Sequence, residues 1–436
     1  MKRTVLTTSW LVTIALCLHL IFSQITSYAD IFEHVGREDE SFKWEKVWEG
    51  ELPTGATVYD IKLTSQTWEN IVWEHRLKLI KPSELENPSL ALLLIMGSGS
   101  GNEELIYGSE MAANMGSLVA ILHDVPNQPL FGGLHEDGLI SYTFQKFLET
   151  KDEDLPLLFP MTKSAVKAMD AIQQFSKKEL GVEVSGFTVG GGSKRGWTTW
   201  FSAAVDERVK AIFPMVYDNL WLPEQMKHQI ETWGKYSEQI ADYSEKNLPQ
   251  ILETEEGSEL GSLVDPFTYK DKIAAPKFII IGTNDRYWPL DALNIYYDDL
   301  VGEKHIYYAP NSGHGLENSR TQVISNAVAF HLKTAGKLEF PKLSWECKKD
   351  GDFVEFSILP DPKVKPESAF IWTATSKTRD FRDATWQKTV ATLKDSKYVY
   401  KVKKPNDGYF ALFGETGYQQ NGKNFFLSTN VYIYGE

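Results

Sequence analysis

One serine of the chain stands in the run Gly190-Gly191-Gly192-Ser193-Lys194-Arg195-Gly196-Trp197, after a short apolar segment and at the start of helical periodicity. A serine on a sharp strand-to-helix turn can act as a nucleophile when a glycine two residues earlier relieves crowding, and Gly191 meets that need. The glycine usual two residues later is Arg195 here, and Gly196 follows one position further on. Phosphate-binding readings fail on spacing: a dinucleotide loop needs glycine where Arg195 stands, and a P-loop needs Lys then Ser or Thr where Trp197 follows Gly196. A serine alcohol is a poor nucleophile near neutral pH unless an imidazole takes its proton, and the imidazole needs a carboxylate to fix its tautomer. In elbow-type hydrolases the acid and then the histidine follow the serine in chain order. Asp285 closes Gly282-Thr283-Asn284-Asp285 after the apolar run Phe278–Ile281, and His314 lies in Asn311-Ser312-Gly313-His314-Gly315. Of the nine histidines only His314 has this setting. Asp218 and Asp291 stay open as alternative acids.

The same chemistry needs donors for a developing oxyanion, and the backbone N–H of Lys194 is the first candidate. Ser98 and Gly99, in the small-residue loop Gly97-Ser98-Gly99-Ser100, are the second. Lys194 and Arg195 put two cations beside the nucleophile. Either a carboxylate answers them and braces the turn, or one of them reaches the pocket for an anionic substrate group. Glu103 and Glu104 could receive a substrate amine but read more simply as solvated loop charges. No metal or cofactor is expected: His135, Glu136 and Asp137 are consecutive and cannot easily converge, and no metal-ligand spacing occurs.

Alternating elements must position these residues. Leu90–Met96 and Leu118–Leu122 are uninterrupted apolar runs, as in a parallel sheet covered on both faces. Phe187–Val189, Val209–Val216 and Phe278–Ile281 continue the series, with helical patterns over Thr162–Phe175, from Lys194 and over Asn318–Thr334. This predicts an α/β domain over residues 30–337 with a mostly parallel, doubly wound sheet. Phe42–Val47, Thr57–Leu63 and Ile71–Ile80 precede it as edge strands. The charged helical stretch 218–264 is too long for a connection and predicts a cap. From 338 to 436 helices give way to short strands, which predicts a β-sandwich-like module.

The 436 residues carry a net charge of −14 with no Lys/Arg block, which argues against nucleic acid or an anionic membrane as partner. Lys2 and Arg3, the apolar run Trp10–Phe22 and Ser27-Tyr28-Ala29 read as a secretory signal over residues 1–29 with cleavage after Ala29. The apolar run is shorter than the roughly 20 residues of a spanning helix, so no membrane segment is expected once it is removed. A secreted or periplasmic protein would then keep Cys347 as its single thiol.

Several stretches are long and unusual: Pro126-Asn127-Gln128-Pro129-Leu130, Glu136-Asp137, Pro160-Met161-Thr162-Lys163, Ser193-Lys194-Arg195-Gly196-Trp197-Thr198, Asp265-Pro266, Asn284-Asp285, and Arg379-Asp380-Phe381-Arg382 with Trp386. Through them the chain resembles the PhoPQ-activated pathogenicity-related proteins, a branch of the α/β-hydrolase fold. The resemblance implies that Arg195 is a family trait, and it implies an exported hydrolase core with a β-rich C-terminal module. The expectation is a serine hydrolase acting through an acyl-enzyme on an ester or amide, with a small molecule or peptide as substrate. Two other readings stand beside it. One is a secreted signalling or interaction protein on a hydrolase scaffold. The other is a carbohydrate esterase of the glucuronoyl type, whose elbow also carries a cation after the serine.

Overall fold

The computed structural model describes residues 30–435 apart from Ser100 and Asn406. The expected leader and its cleavage site at Ala29 lie outside the described residues. The N-terminal strands β1 (Lys43–Glu51), β2 (Thr57–Trp68) and β3 (Ile71–Lys81) form an antiparallel meander. β3 joins the central sheet through an antiparallel pairing with β5 (Val119–Leu122), which lies beside β4 (Leu90–Ile95). From β4 onward β6 (Gly186–Gly192), β7 (Val209–Met215), β8 (Lys277–Gly282) and β9 (Lys304–Ala309) run parallel in that order.

β5 and β8 are buried along their whole length, as strands sandwiched between two helical layers must be. The helices Leu158–Phe175 and Lys194–Val205 pack their apolar stripes into one core, and Asn102–Met115 and Arg320–Thr334 pack theirs into the other. Serine, acid and histidine all follow parallel strands, at the carboxyl edge where doubly wound sheets present their sites.

Between β7 and β8 the chain leaves the sheet to build a helical cap, with helices Leu222–Trp233, Ala241–Ser244, Leu248–Ile251 and Glu255–Val264. Asp265 ties the cap's ends together. Its carboxylate accepts the N–H groups of Trp221 (3.2 Å), Leu222 (2.7 Å) and Phe267 (2.9 Å). Burial pushes this carboxyl up to about 6, against the lowering effect of those three donors.

Beyond Thr334 the chain is β-structure, but it is not set apart from the hydrolase core. Ser428, in the strand Lys423–Ser428, pairs antiparallel with Ile306, so strands Tyr409–Gln420 and Ser368–Ser376 continue the central sheet past β9. A second sheet of four strands, beginning with Ser344–Asp350 and Phe353–Leu359, packs on this extension around Val354, Phe356, Ile371 and Leu412. Phe381, Trp386 and Phe413 belong instead to the main core. Cys347 is a free thiol with Sγ 2.9 Å from the Tyr434 hydroxyl. Among the described residues no helix is long and apolar enough to cross a membrane.

Candidate active site

β6 carries its three glycines straight into the turn. A Cβ on Gly190 would stand 2.2 Å from the Phe213 ring, and one on Gly191 would stand 2.6 Å from the Arg195 carbonyl oxygen. Ser193 sits at φ +57°, ψ −128°, a conformation residues with a side chain rarely adopt. Its N–H donates to the Met215 carbonyl (2.9 Å), and its own carbonyl accepts the Trp197 N–H (3.0 Å). A Cβ on Gly196 would lie 3.0 Å from the Met215 carbonyl oxygen, so close approach of the helix to β7 requires glycine at 196. That accounts for the displaced second glycine.

Arg195 turns away from Ser193. Its guanidinium passes Gly97, where a Cβ would stand 2.6 Å from it. It donates to the Val125 carbonyl (2.6 Å) and, as a fork, to both carboxylate oxygens of Glu136 (2.8 and 2.7 Å). The Lys194 ammonium, 8% exposed, lies 2.8 Å from Glu136 and 3.3 Å from Asp137. Gln128 completes the cluster: its side chain accepts the Glu136 N–H (2.8 Å) and donates to a Glu136 carboxylate oxygen (2.5 Å). Burial alone would raise the Glu136 carboxyl, but the bonds and charge of Arg195, with Lys194, draw it down to about 2. Both cations are therefore answered by carboxylates.

On the other side, His314 Nδ1 lies 2.8 Å from Asp285 Oδ2, and Asp285 Oδ1 accepts the Tyr287 N–H (2.9 Å). This carboxylate assigns the ring proton to Nδ1 and leaves Nε2 as an acceptor. Nε2 is buried and makes no hydrogen bond among the described residues. The Tyr287 ring lies on the imidazole at 4.1 Å between centroids. The two alternative acids are engaged elsewhere. Asp218 accepts the Tyr296 hydroxyl (2.8 Å), and Asp291 meets His228 Nε2 (2.8 Å) and Arg379 (2.5 Å).

Ser193 and Lys194 form one wall of a pocket enclosing about 730 Å3 of empty space, its mouth included. Ser98 and Gly99 are exposed and are not among its walls; the Gly99 carbonyl accepts from Arg76 at 2.7 Å. Glu103 points to solvent, 3.9 Å from Arg320. Among the described residues no three His, Cys, Asp or Glu side chains gather as a metal site would require.

Sequence reasoning missed the side chains that hold the acid and base loops. Asn284 Nδ2 donates to the carbonyls of Ala384 (2.7 Å), Arg382 (3.2 Å) and Phe381 (3.4 Å). Asn311 Oδ1 accepts the Trp386 N–H (2.7 Å) while its Nδ2 donates to the Trp386 carbonyl (3.1 Å). Their signal was present as unusual motif residues, but nothing in one chain says that segments a hundred residues apart will meet.

A mixed sheet with a parallel centre rather than the mostly parallel one expected, a strained serine turn after β6, a helical cap after β7, and an acid–histidine pair after β8 and β9 define an α/β-hydrolase fold. The chain belongs to the PhoPQ-activated pathogenicity-related protein family, whose model matches residues 31–382. It is 30% identical to autocrine proliferation repressor protein A of Dictyostelium discoideum, over 93% of this chain and 88% of that one. Among solved structures it is similar to an acetyl xylan esterase from Paenibacillus sp. R4 (TM-score 0.50, 18% identity), covering 69% of this chain and 92% of that one. It is also similar to the glucuronoyl esterase of Solibacter usitatus (TM-score 0.41, 12% identity), covering 69% and 87%. At 18% identity the likeness to the Paenibacillus enzyme shows the fold alone.

Proposed function

We propose that the protein is an exported serine hydrolase acting on an ester or amide, with Ser193 as nucleophile, His314 as base and Asp285 as its orienting acid. The observation that carries this reading is the 2.8 Å contact of His314 Nδ1 with Asp285, at the same sheet edge as a serine held at positive φ. Ser193 Oγ attacks the carbonyl carbon while its proton passes to His314 Nε2, and the carbonyl electrons move onto oxygen. The Lys194 N–H, at a helix N-terminus, faces that charge; Ser98 or Gly99 would supply the second donor once the loop adjusts to substrate. The C–O or C–N bond then breaks, the leaving group takes the proton from His314, and water reverses the sequence to free the acid product. Apo hydrogen bonds between nucleophile and base are often long and tighten only on substrate, which fits the unbonded Nε2.

Labelling with a fluorophosphonate and turnover of simple esters test the assignment. Ser193→Ala should lose labelling and roughly three to six orders of magnitude of turnover while keeping its melting temperature. Near-wild-type turnover by that variant would overturn it. The name of the Dictyostelium relative favours a second reading, a signalling protein on this scaffold; failure of the wild-type protein to label would favour it. Against the glucuronoyl-type reading, Lys194 is held by Glu136 and Asp137 and is not free for a substrate anion.

A further inference from the structure

The pocket beside Ser193 is walled by rings that touch in sequence. Phe144 meets Trp197 edge-on, Trp197 stacks on Tyr217 (5.0 Å, 21° between planes), and Tyr217 meets Trp288 at 79°. Trp288 then passes to Tyr287, the ring that covers His314. The cap closes the opposite side with aliphatic side chains, Leu222, Met226 and Leu260 among them. The charged residues of the wall are Asp137 and Lys194, and they neutralise each other at 3.3 Å. Among the described residues three buried polar atoms of the wall make no hydrogen bond, the Tyr217 hydroxyl, Trp288 Nε1 and Asn219 Oδ1, and all three are closed off from solvent, so the exposed lining is apolar apart from the Asp137–Lys194 pair.

We infer that the substrate carries, on one side of its scissile bond, an uncharged aromatic group. Edge-to-face and offset contacts along the ring wall would hold it. A charged group would enter without an uncompensated partner and lose its hydration.

This rests on the serine-hydrolase reading, and the test separates the two. Wild-type protein is labelled with a fluorophosphonate and then assayed on p-nitrophenyl acetate, p-nitrophenyl 3-phenylpropanoate, 2-phenylethyl acetate against ethyl acetate, and a methyl uronate ester. The inference expects kcat/KM at least about tenfold higher for one of the two phenyl-bearing esters over its small counterpart, consistent with what filling an apolar pocket delivers. Which ester gains tells whether acyl or alcohol fills the pocket. Leu252→Trp, a half-buried cap position lining the pocket, should cut that preference several-fold. Labelling with no preference for either phenyl ester, or with the uronate ester best, overturns the inference and leaves the serine hydrolase standing. No labelling and no turnover overturn both.

Discussion

Ser193 and His314 are held by different physics. Under the elbow, two cations and two carboxylates from the Gln128–Asp137 segment and the following helix form a partly buried ion cluster within the hydrolase core. Around Asp285 and His314 the buried support runs through neutral amides, Asn284 and Asn311 exchanging hydrogen bonds with backbone groups of residues 381–386, while the charges there, Arg286 with Asp383 and Glu317 on the Gly313 N–H, are largely exposed. An ion cluster resists disruption strongly because removing one member strands a charge. Amide–backbone bonds are weaker, each worth about 0.5–1.5 kcal/mol, but directional. Damage to the first should therefore be read in stability, and damage to the second in catalytic geometry.

Arg195→Ala is the largest break. A buried pair broken on one side costs about 3–5 kcal/mol; because Glu136 is 38% exposed and keeps Lys194, the expected loss is about 2–3 kcal/mol. Chemical denaturation measures it, and a loss under 1 kcal/mol would mean the fork does not brace the turn. The cluster also fixes a pH window. A carboxyl near 2 in the fold and 4.5 when unfolded contributes stability that is complete above about 4.5 and is lost as pH falls towards about 2. Glu136→Gln should flatten the acid limb of the stability curve in that window.

Asn284→Ala and Asn311→Ala should act on the other side, lowering kcat by roughly 10–100-fold with KM little changed, as misplacement of catalytic groups does. Melting temperature should fall only slightly. Unchanged kcat with a large drop in stability would show that the two regions are braced alike and erase the contrast.

The contrast also marks where the sequence was legible. The apolar runs from Leu90 to Ile281 announce a parallel sheet because burial on both faces leaves no room for alternation. Ser193, Asp285 and His314 are proposed from type, order and flanking glycines, all local properties. What was not legible is tertiary. Gly97 looked like a flexible oxyanion turn, yet its missing Cβ makes room for Arg195. Glu136 appeared only as a motif residue and an unfit metal ligand, and its role depends on a fork arriving from residue 195. The module after residue 338 reads as a β-sandwich, but its edge pairing with β9 through Ser428 and Ile306 is long-range register that periodicity does not encode.

The smallest effect concerns Asp218, which follows β7 between the strand of the elbow and the strand of the acid. Unlike Glu136 and Asp291, it faces no cation in hydrogen-bond range and its Oδ2 has no close partner among the described residues; it accepts from the Tyr296 hydroxyl, and the Leu293 N–H also favours its charged form. Burial, with the nearby charges of Asp285 and Asp291, pushes its carboxyl up to about 8 despite the Tyr296 bond. The sign follows from proton counting. Below about pH 3.8 both folded and unfolded chains hold the proton, and the group contributes nothing. Between about 3.8 and 8 only the fold holds it, so stability declines as pH rises; above 8 the penalty is constant. Asparagine keeps an acceptor for Tyr296 and puts its NH2 where the protonated Oδ2 already lacks a partner, so its own burial adds little. Asp218→Asn should therefore raise the melting temperature at pH 7 by about 2–5 °C, with the gain vanishing near pH 4. Its kcat should stay within about twofold of wild type. A collapse of kcat instead would move the acid's role from Asp285 to Asp218, and with it the boundary between the two braced regions.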